Sequence, residues 1–189
     1  GYFRLITQYV SKKSFDLELL LVGIKNSFSV YMDPMIQKPC GEDQEWCLIT
    51  EDMIKLEYEM KYPDAMPVSS MLESGIGDQT MGVWIGEDTI RIAEYFCFET
   101  TVRKLNLYRD NTTAFEGTEE DAEKRFMFGE PVRSRDSEDK KVKWYKITGC
   151  EILEEQDWPG EILPVVRVVG NEGEIEGQVY VSGFVRNAK

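Results

Sequence analysis

The sequence contains no histidine. Catalytic triads that rest on an imidazole base are therefore excluded, and no pattern in the chain supports the Ser-Lys pair that remains. No run approaches the ~20 apolar residues of a membrane span. The longest, LELLLVGI, is interrupted by Glu18 and reads as a strand. The N-terminus shows no basic segment followed by an apolar one, so no signal peptide is legible. The chain opens at GYFRL, inside a strand-like pattern and without methionine, which reads as an excised fragment with Gly1 left by a cloning tag. The four cysteines, Cys40, Cys47, Cys97 and Cys150, include no C-x-x-C pair. A zinc site would need all four from scattered positions. They are expected as small buried hydrophobes in a reducing cytosol, with Cys97 and Cys150 in apolar strand-like runs. Gly75-Ile76-Gly77 has neither a third glycine at the right spacing nor a following Gly-Lys-Ser/Thr, so it is no phosphate loop. Positive charge is scarce as well: 22 basic residues face 35 acidic ones, for a net charge of -13. Such a surface repels phosphate backbones and argues against autonomous, tight nucleic-acid binding.

What the chain does have is apolar material. It is 42% hydrophobic and 12% aromatic over 189 residues, enough to bury a core in one large domain or two small ones. YFRLITQYV alternates and predicts a strand, SKKSFD a turn, and LELLLVGI a second strand completing a hairpin. KNSFSVYMDPM predicts a short extended segment, QKPCGEDQ a loop and EWCLIT another strand. Thr50 is expected to cap a helix over 51–61, with Glu51 and Asp52 at the positive end of its dipole and Met53, Leu56 and Met60 on its core face. Tyr62-Pro63 stops it, because the residue before a proline avoids the α region. A long irregular connection follows. DTIRIAEYFCFETTV is the clearest strand, with a possible irregularity at Ala93, and RKLNLYRD is expected to follow it in a hairpin or meander. Thr118 predicts the cap of a second helix ending near Phe128-Gly129, with Glu119, Glu120 and Asp121 in its first turn. GEPVRSRDSEDKK reads as a charged, mobile loop; VKWYKITGCEIL and ILPVVRVVG read as strands joined by DWPG, and GEIEGQVYVSGFVR as extended segments. Hairpin-linked strands predict an α+β fold with mainly antiparallel sheet, two short helices and long loops. The chain reads as a single α+β fragment over 1–189, with a possible division into 1–66 and 83–189 across the Gly/Ser-containing connection.

The candidate chemistry is thin. Asp33, Glu42 and Asp43 lie near one another in sequence, and Asp88 or Glu94 could join them in space. Oxygen ligands of this type suit magnesium or calcium, so the enzymatic alternative is a carboxylate-metal-dependent hydrolase or nuclease. No D-x-D-x-D-G pattern accompanies them. Asp33-Pro34 has a simpler reading: the carboxylate accepts backbone N–H groups and sets a turn, while Pro34 biases Asp33 toward an extended conformation. Lys140, Lys141, Lys143 and Lys146, interleaved with Trp144 and Tyr145, could form a stacking platform. The plainer reading places Trp144 and Ile147 in a sheet and the lysines on its solvated side. No catalytic, cofactor-binding or metal-binding residue is assigned, and no cofactor is expected.

Four stretches occur in an order that resembles a known family. They are NSFSVYMDPMIQKPCGEDQEWCLIT, a helix ending in KYPDA, DTIRIAEYFCFE, and KWYKITGCEILEEQDWPGEILPVVRVVG. Together they cover most of 29–186 and resemble the portal, or head-to-tail connector, proteins of short-tailed podoviral phages and related prophages. Met32 stands where that family often has tryptophan, ILPVVRVVG replaces a more proline-rich version, and 68–86 has no clear match. The resemblance implies a structural subunit with no catalytic centre, self-associating through the full-length protein into a ring, usually a dodecamer, at one capsid vertex. Double-stranded DNA would be packaged and ejected through that ring. Terminase would dock first, tail adaptor proteins afterwards, with capsid proteins as neighbours and no membrane involved. Assembly would take place in the bacterial host cytoplasm, and the product would reside in the virion. The segment resembles the peripheral wing-type region that precedes the long channel helices.

Overall fold

A computed structural model of the chain describes residues 1–38, 40–67 and 83–183. Among the described residues eleven strands and two α-helices have defined ranges, and every strand pair with a described register is antiparallel. The fold is α+β, dominated by antiparallel sheet. Strand order is β2 (Leu17–Ile24), β1 (Tyr2–Tyr9), β9 (Val165–Arg167) in one sheet; β3 (Val30–Met32), β4 (Trp46–Ile54), β5 (Thr89–Leu107), β7 (Arg133–Ile147), β8 (Ile152–Asp157) in the largest, with β6 (Thr113–Phe115) also on β5; and β10 (Asn171–Ile175) with β11 (Gln178–Ser182) in a two-stranded ribbon. The chain divides into two compact units, residues 1–97 with 142–189, and residues 98–141.

In the first unit, β1 (Tyr2–Tyr9) and β2 (Leu17–Ile24) form the expected hairpin, in register from Tyr2 opposite Ile24 to Tyr9 opposite Leu17. The next stretch is not simply extended. Asn26 accepts a hydrogen bond from the Phe28 N–H and starts a short 3-10 turn at Ser27–Ser29 before β3 (Val30–Met32).

β4 (Trp46–Ile54) runs on through the residues expected to begin the first helix. Helix α1 is confined to Lys55–Lys61, and its N-cap Ile54 makes no side-chain cap bond. The Thr50 hydroxyl donates to the Ser29 carbonyl instead of capping. The strand wins here because 46–54 pairs without a break against 97–89, and Arg91 grips Asp52 across the ladder at 2.7 Å. That unbroken register also removes the irregularity expected at Ala93, which lies opposite Thr50. The anticipated apolar stripe of α1 is not its core face: Leu56 and Met60 are 67% and 77% exposed, while Tyr58 is 1% exposed. Met53 is buried from β4, and with Tyr58, Ile90 and Ile92 it forms the core cluster of the unit. Tyr62 does end the helix.

β5 (Thr89–Leu107) is one strand of 19 residues. RKLNLYRD therefore continues it rather than returning, and the turn comes later, at Asn111, before β6 (Thr113–Phe115). In the second unit β6 pairs with 105–107, and helix α2 (Glu119–Phe128) packs against β6. α2 begins as its sequence dictates: Thr118 accepts from the Asp121 N–H, three acidic residues sit in the first turn, and Gly129 takes φ 78° at the C-terminus. The charged segment expected as a mobile loop is instead the first part of β7 (Arg133–Ile147). β5 is its hydrogen-bonded neighbour in the sheet, and the Arg103 guanidinium covers the part-buried Asp139 carboxylate at 2.6 Å.

Back in the first unit, β8 (Ile152–Asp157) pairs with 143–147. β9 is only Val165–Arg167 and crosses to β1, tying the hairpin down. β10 (Asn171–Ile175) and β11 (Gln178–Ser182) turn through Glu176 and Gly177, both at positive φ, as a two-residue hairpin loop requires. The long irregular connection expected after α1 lies largely outside the described residues. Cys47 is buried, Cys40 exposed, Cys97 and Cys150 half-buried, and Cys150 sits in the turn before β8 rather than in a strand. All four are free thiols.

Candidate functional site

The β1–β2 hairpin has two faces, because residues directly opposite in an antiparallel pair project to the same side. One face is held by charge. Arg4 donates to Glu94 on β5 at 2.9 Å, its guanidinium lies 5.7 Å from the Phe96 ring centroid, and Trp144 Nε1 donates to the other Glu94 oxygen at 2.9 Å. Phe96 is fully buried, with Trp158 edge-on against it at 5.6 Å. Leu5 N–H donates to the Pro164 carbonyl at 2.7 Å, which adds a backbone anchor. The hairpin is thus clamped along β1.

The other face, carried by Leu17, Leu19 and Leu21 of β2 with Tyr9 across from Leu17, is left open. These three leucines are 62%, 63% and 61% exposed and Tyr9 is 59% exposed. β2 is the outer strand of its sheet, so its second edge has no strand partner among the described residues. At the tip, Val10 N–H donates to the Asp16 carbonyl and Ser14 exchanges hydrogen bonds with Asp16, presenting Phe15 to solvent at 95% exposure. Isolated exposed leucines are ordinary, but a contiguous apolar row on a free edge marks an interaction surface.

Matching against protein-family models aligns residues 1–189 with the model described as Phage P22-like portal protein. The chain belongs to this family. No curated protein matches it. Portal proteins are structural components of the phage capsid vertex that work by assembling into rings, so an exposed apolar face on a clamped hairpin is the kind of site to look for.

The residues singled out from the sequence are placed as follows. Asp33 is buried and its carboxylate is consumed by backbone: it accepts from Met35 N–H at 2.8 Å and Glu45 N–H at 3.1 Å. Asp43 accepts from the Gln37 and Lys38 N–H groups, and the Gln37 bond is the main cause holding its carboxyl below the usual range. Glu42 pairs with Lys38, and Glu94 with Arg4 and Trp144. Among the described residues no three His, Cys, Asp or Glu side chains are grouped to hold a metal ion; Asp33, Glu42, Asp43, Asp88 and Glu94 are not brought together as ligands. Of the lysine-aromatic segment, Lys140 lies over Phe98, 4.3 Å from its ring centroid, in the second unit. In the first unit, Lys143 pairs with Asp157 and Glu155, and Tyr145 stacks on Tyr95. Those aromatics pack within the sheet rather than offering a stacking platform. Burial pushes the Cys47 thiol up to about 12, which leaves it inert at neutral pH. No described helix is long and apolar enough to cross a membrane.

The leucine face was not singled out from the sequence. The signal for it is the run Leu17-Glu18-Leu19-Leu20-Leu21-Val22, in which one alternating face is wholly leucine and the other is apolar apart from Glu18. An outer strand can bury only one of them within its own chain.

Proposed function

We propose that the chain is a structural segment of a portal ring, through which double-stranded DNA is packaged into and ejected from the capsid. In this reading the full-length protein assembles as a dodecamer, docks terminase during packaging and tail adaptor proteins afterwards, and contributes no catalytic residue. The segment is a single α+β fragment of the wing type. The observation that carries the reading is the family match over all of 1–189. The net charge of -13 agrees with it, since an acidic protein beside moving DNA offers phosphates no sticking points.

The test is the oligomeric state of the full-length gene product, by mass photometry and negative-stain microscopy. A closed ring with a central hole is expected. A monomer at micromolar concentration would sink the reading.

A further inference from the structure

We infer that the open face of the β1–β2 hairpin, Leu17, Leu19 and Leu21 with Tyr9, is a contact between neighbouring copies of this chain. The inference rests on the portal reading and adds to it the surface through which one subunit meets the next.

Three observations point to a second copy as the occupant. The first is charge. Residues 1–25 contain four basic side chains, Arg4, Lys12, Lys13 and Lys25, against two acidic ones, Asp16 and Glu18; the remaining residues contain 18 basic and 33 acidic. The hairpin is thus a locally positive element on an otherwise strongly negative chain. Of these charges, Arg4 is spent on Glu94 inside its own chain, and Glu18 takes a hydrogen bond from Gln8 on the clamped face. Lys12 and Lys13 remain at the exposed tip beside the leucine row. Copies with a net charge of -13 repel one another at long range, and a positive hairpin meeting the acidic remainder of its neighbour offsets that repulsion where they touch.

The second is composition. The row has no carboxylate on its face, so nothing charged need be desolvated at its centre, and Phe15 extends the apolar surface to the tip. The third is geometry. Among the described residues the outer edge of β2 has no strand partner, while β1 on its other side is anchored to β9. In a closed ring each contact is head-to-tail: this patch meets a different surface of the next copy. That arrangement is what a positive patch on a negative chain favours.

The test uses the full-length protein in two variants. In Leu17→Thr/Leu19→Thr/Leu21→Thr the apolar row becomes polar while strand propensity is kept. In Lys12→Glu/Lys13→Glu only exposed turn residues change. Mass photometry reads the ring fraction against concentration, and circular dichroism with thermal melting reads the fold. Both variants are expected to melt like wild type. The leucine variant should remain subunits at concentrations where wild type is fully in rings. The charge variant should need about tenfold more protein to close rings, with the deficit shrinking in high salt. Rings forming from both folded variants as readily as from wild type would overturn the inference, assign the face to another partner and leave the portal reading intact. Should the leucine variant melt early, the charge variant decides alone. A wild-type protein that forms no ring would remove the portal reading, and the inference with it.

Discussion

Two buried carboxylates, Asp33 and Asp121, show how single side chains hold this fold. Asp33 staples a turn to the start of β4 with two backbone hydrogen bonds, and its proline neighbour does the rest. Asp33→Ala is expected to lower stability by about 1 kcal/mol, the scale of a lost capping-type bond, measured by urea unfolding. A large loss of divalent-cation affinity instead would make Asp33 a ligand after all. Asp121 is 3% exposed, yet four donors reach it: Asn106 Nδ2 at 2.8 Å, the Tyr108 hydroxyl at 2.6 Å, the Gly117 N–H at 3.2 Å and Arg125 Nε at 3.0 Å. Burial alone would raise its pKa, but the bonds from Tyr108, Asn106, Gly117 and Arg125 outweigh burial and bring it to about 2. The folded value lies below the ordinary 3.8, so this stabilisation is complete above about pH 4 and is lost as pH falls toward 2. Acid melts should show the 98–141 unit weakening over that window, and Asp121→Ala should abolish that part of the pH dependence while costing about 1–3 kcal/mol at neutral pH for the donors it strands. Thr118 could be read as a cap from sequence because capping is local. The four donors to Asp121 come from β5, the residue just beyond it, the turn before α2 and α2 itself, and the two from the β5 side are not legible in any local pattern. Gly149 is similar: a Cβ there would lie 2.8 Å from Trp84 Cγ, a contact between residues far apart in sequence.

At the scale of elements, α1 and β7 carry the main lessons. In α1, Met53, Leu56 and Met60 have helical spacing, but the ladder with β5 claims Met53 for a strand, and the shortened helix then turns Tyr58 inward. Leu56→Lys should change stability by no more than about 0.5 kcal/mol, as at an exposed site. Tyr58→Ala should cost about 3–5 kcal/mol, the scale of an aromatic removed from a core, and thermal unfolding compares the two. In β7, the segment 133–141 is charged and without apolar alternation, so its sequence predicts a loop. Its place beside β5 makes it a strand, because backbone hydrogen bonds need no side-chain pattern. Hydrogen exchange should show its amides protected well beyond loop rates; full exchange within seconds would mean that the strand does not persist in solution.

Taken whole, the molecule is acidic, and several of its basic residues are held in ion pairs within the chain, as at Arg4, Arg91, Arg103, Lys124 and Arg125. Electrophoretic mobility shift with duplex DNA at physiological salt should show no complex at micromolar protein; a tight, salt-sensitive complex would contradict the view of a non-adhesive wall. The sequence by itself determined what depends on composition and on neighbours along the chain: an acidic α+β protein without a histidine-based site, the β1–β2 hairpin, the Thr118 cap and the ordered motifs of the portal family. Alternation, capping and charge act over a few residues, so they are written locally. Tertiary structure alone decided that Thr50 belongs to a strand, that 89–107 runs as one strand and that 133–141 joins the sheet. It also decided that the Leu20 face of β2 is turned inward and the Leu17-Leu19-Leu21 face is left open. Each of those choices depends on which backbone and which side chains lie across the sheet, and those partners sit tens of residues away.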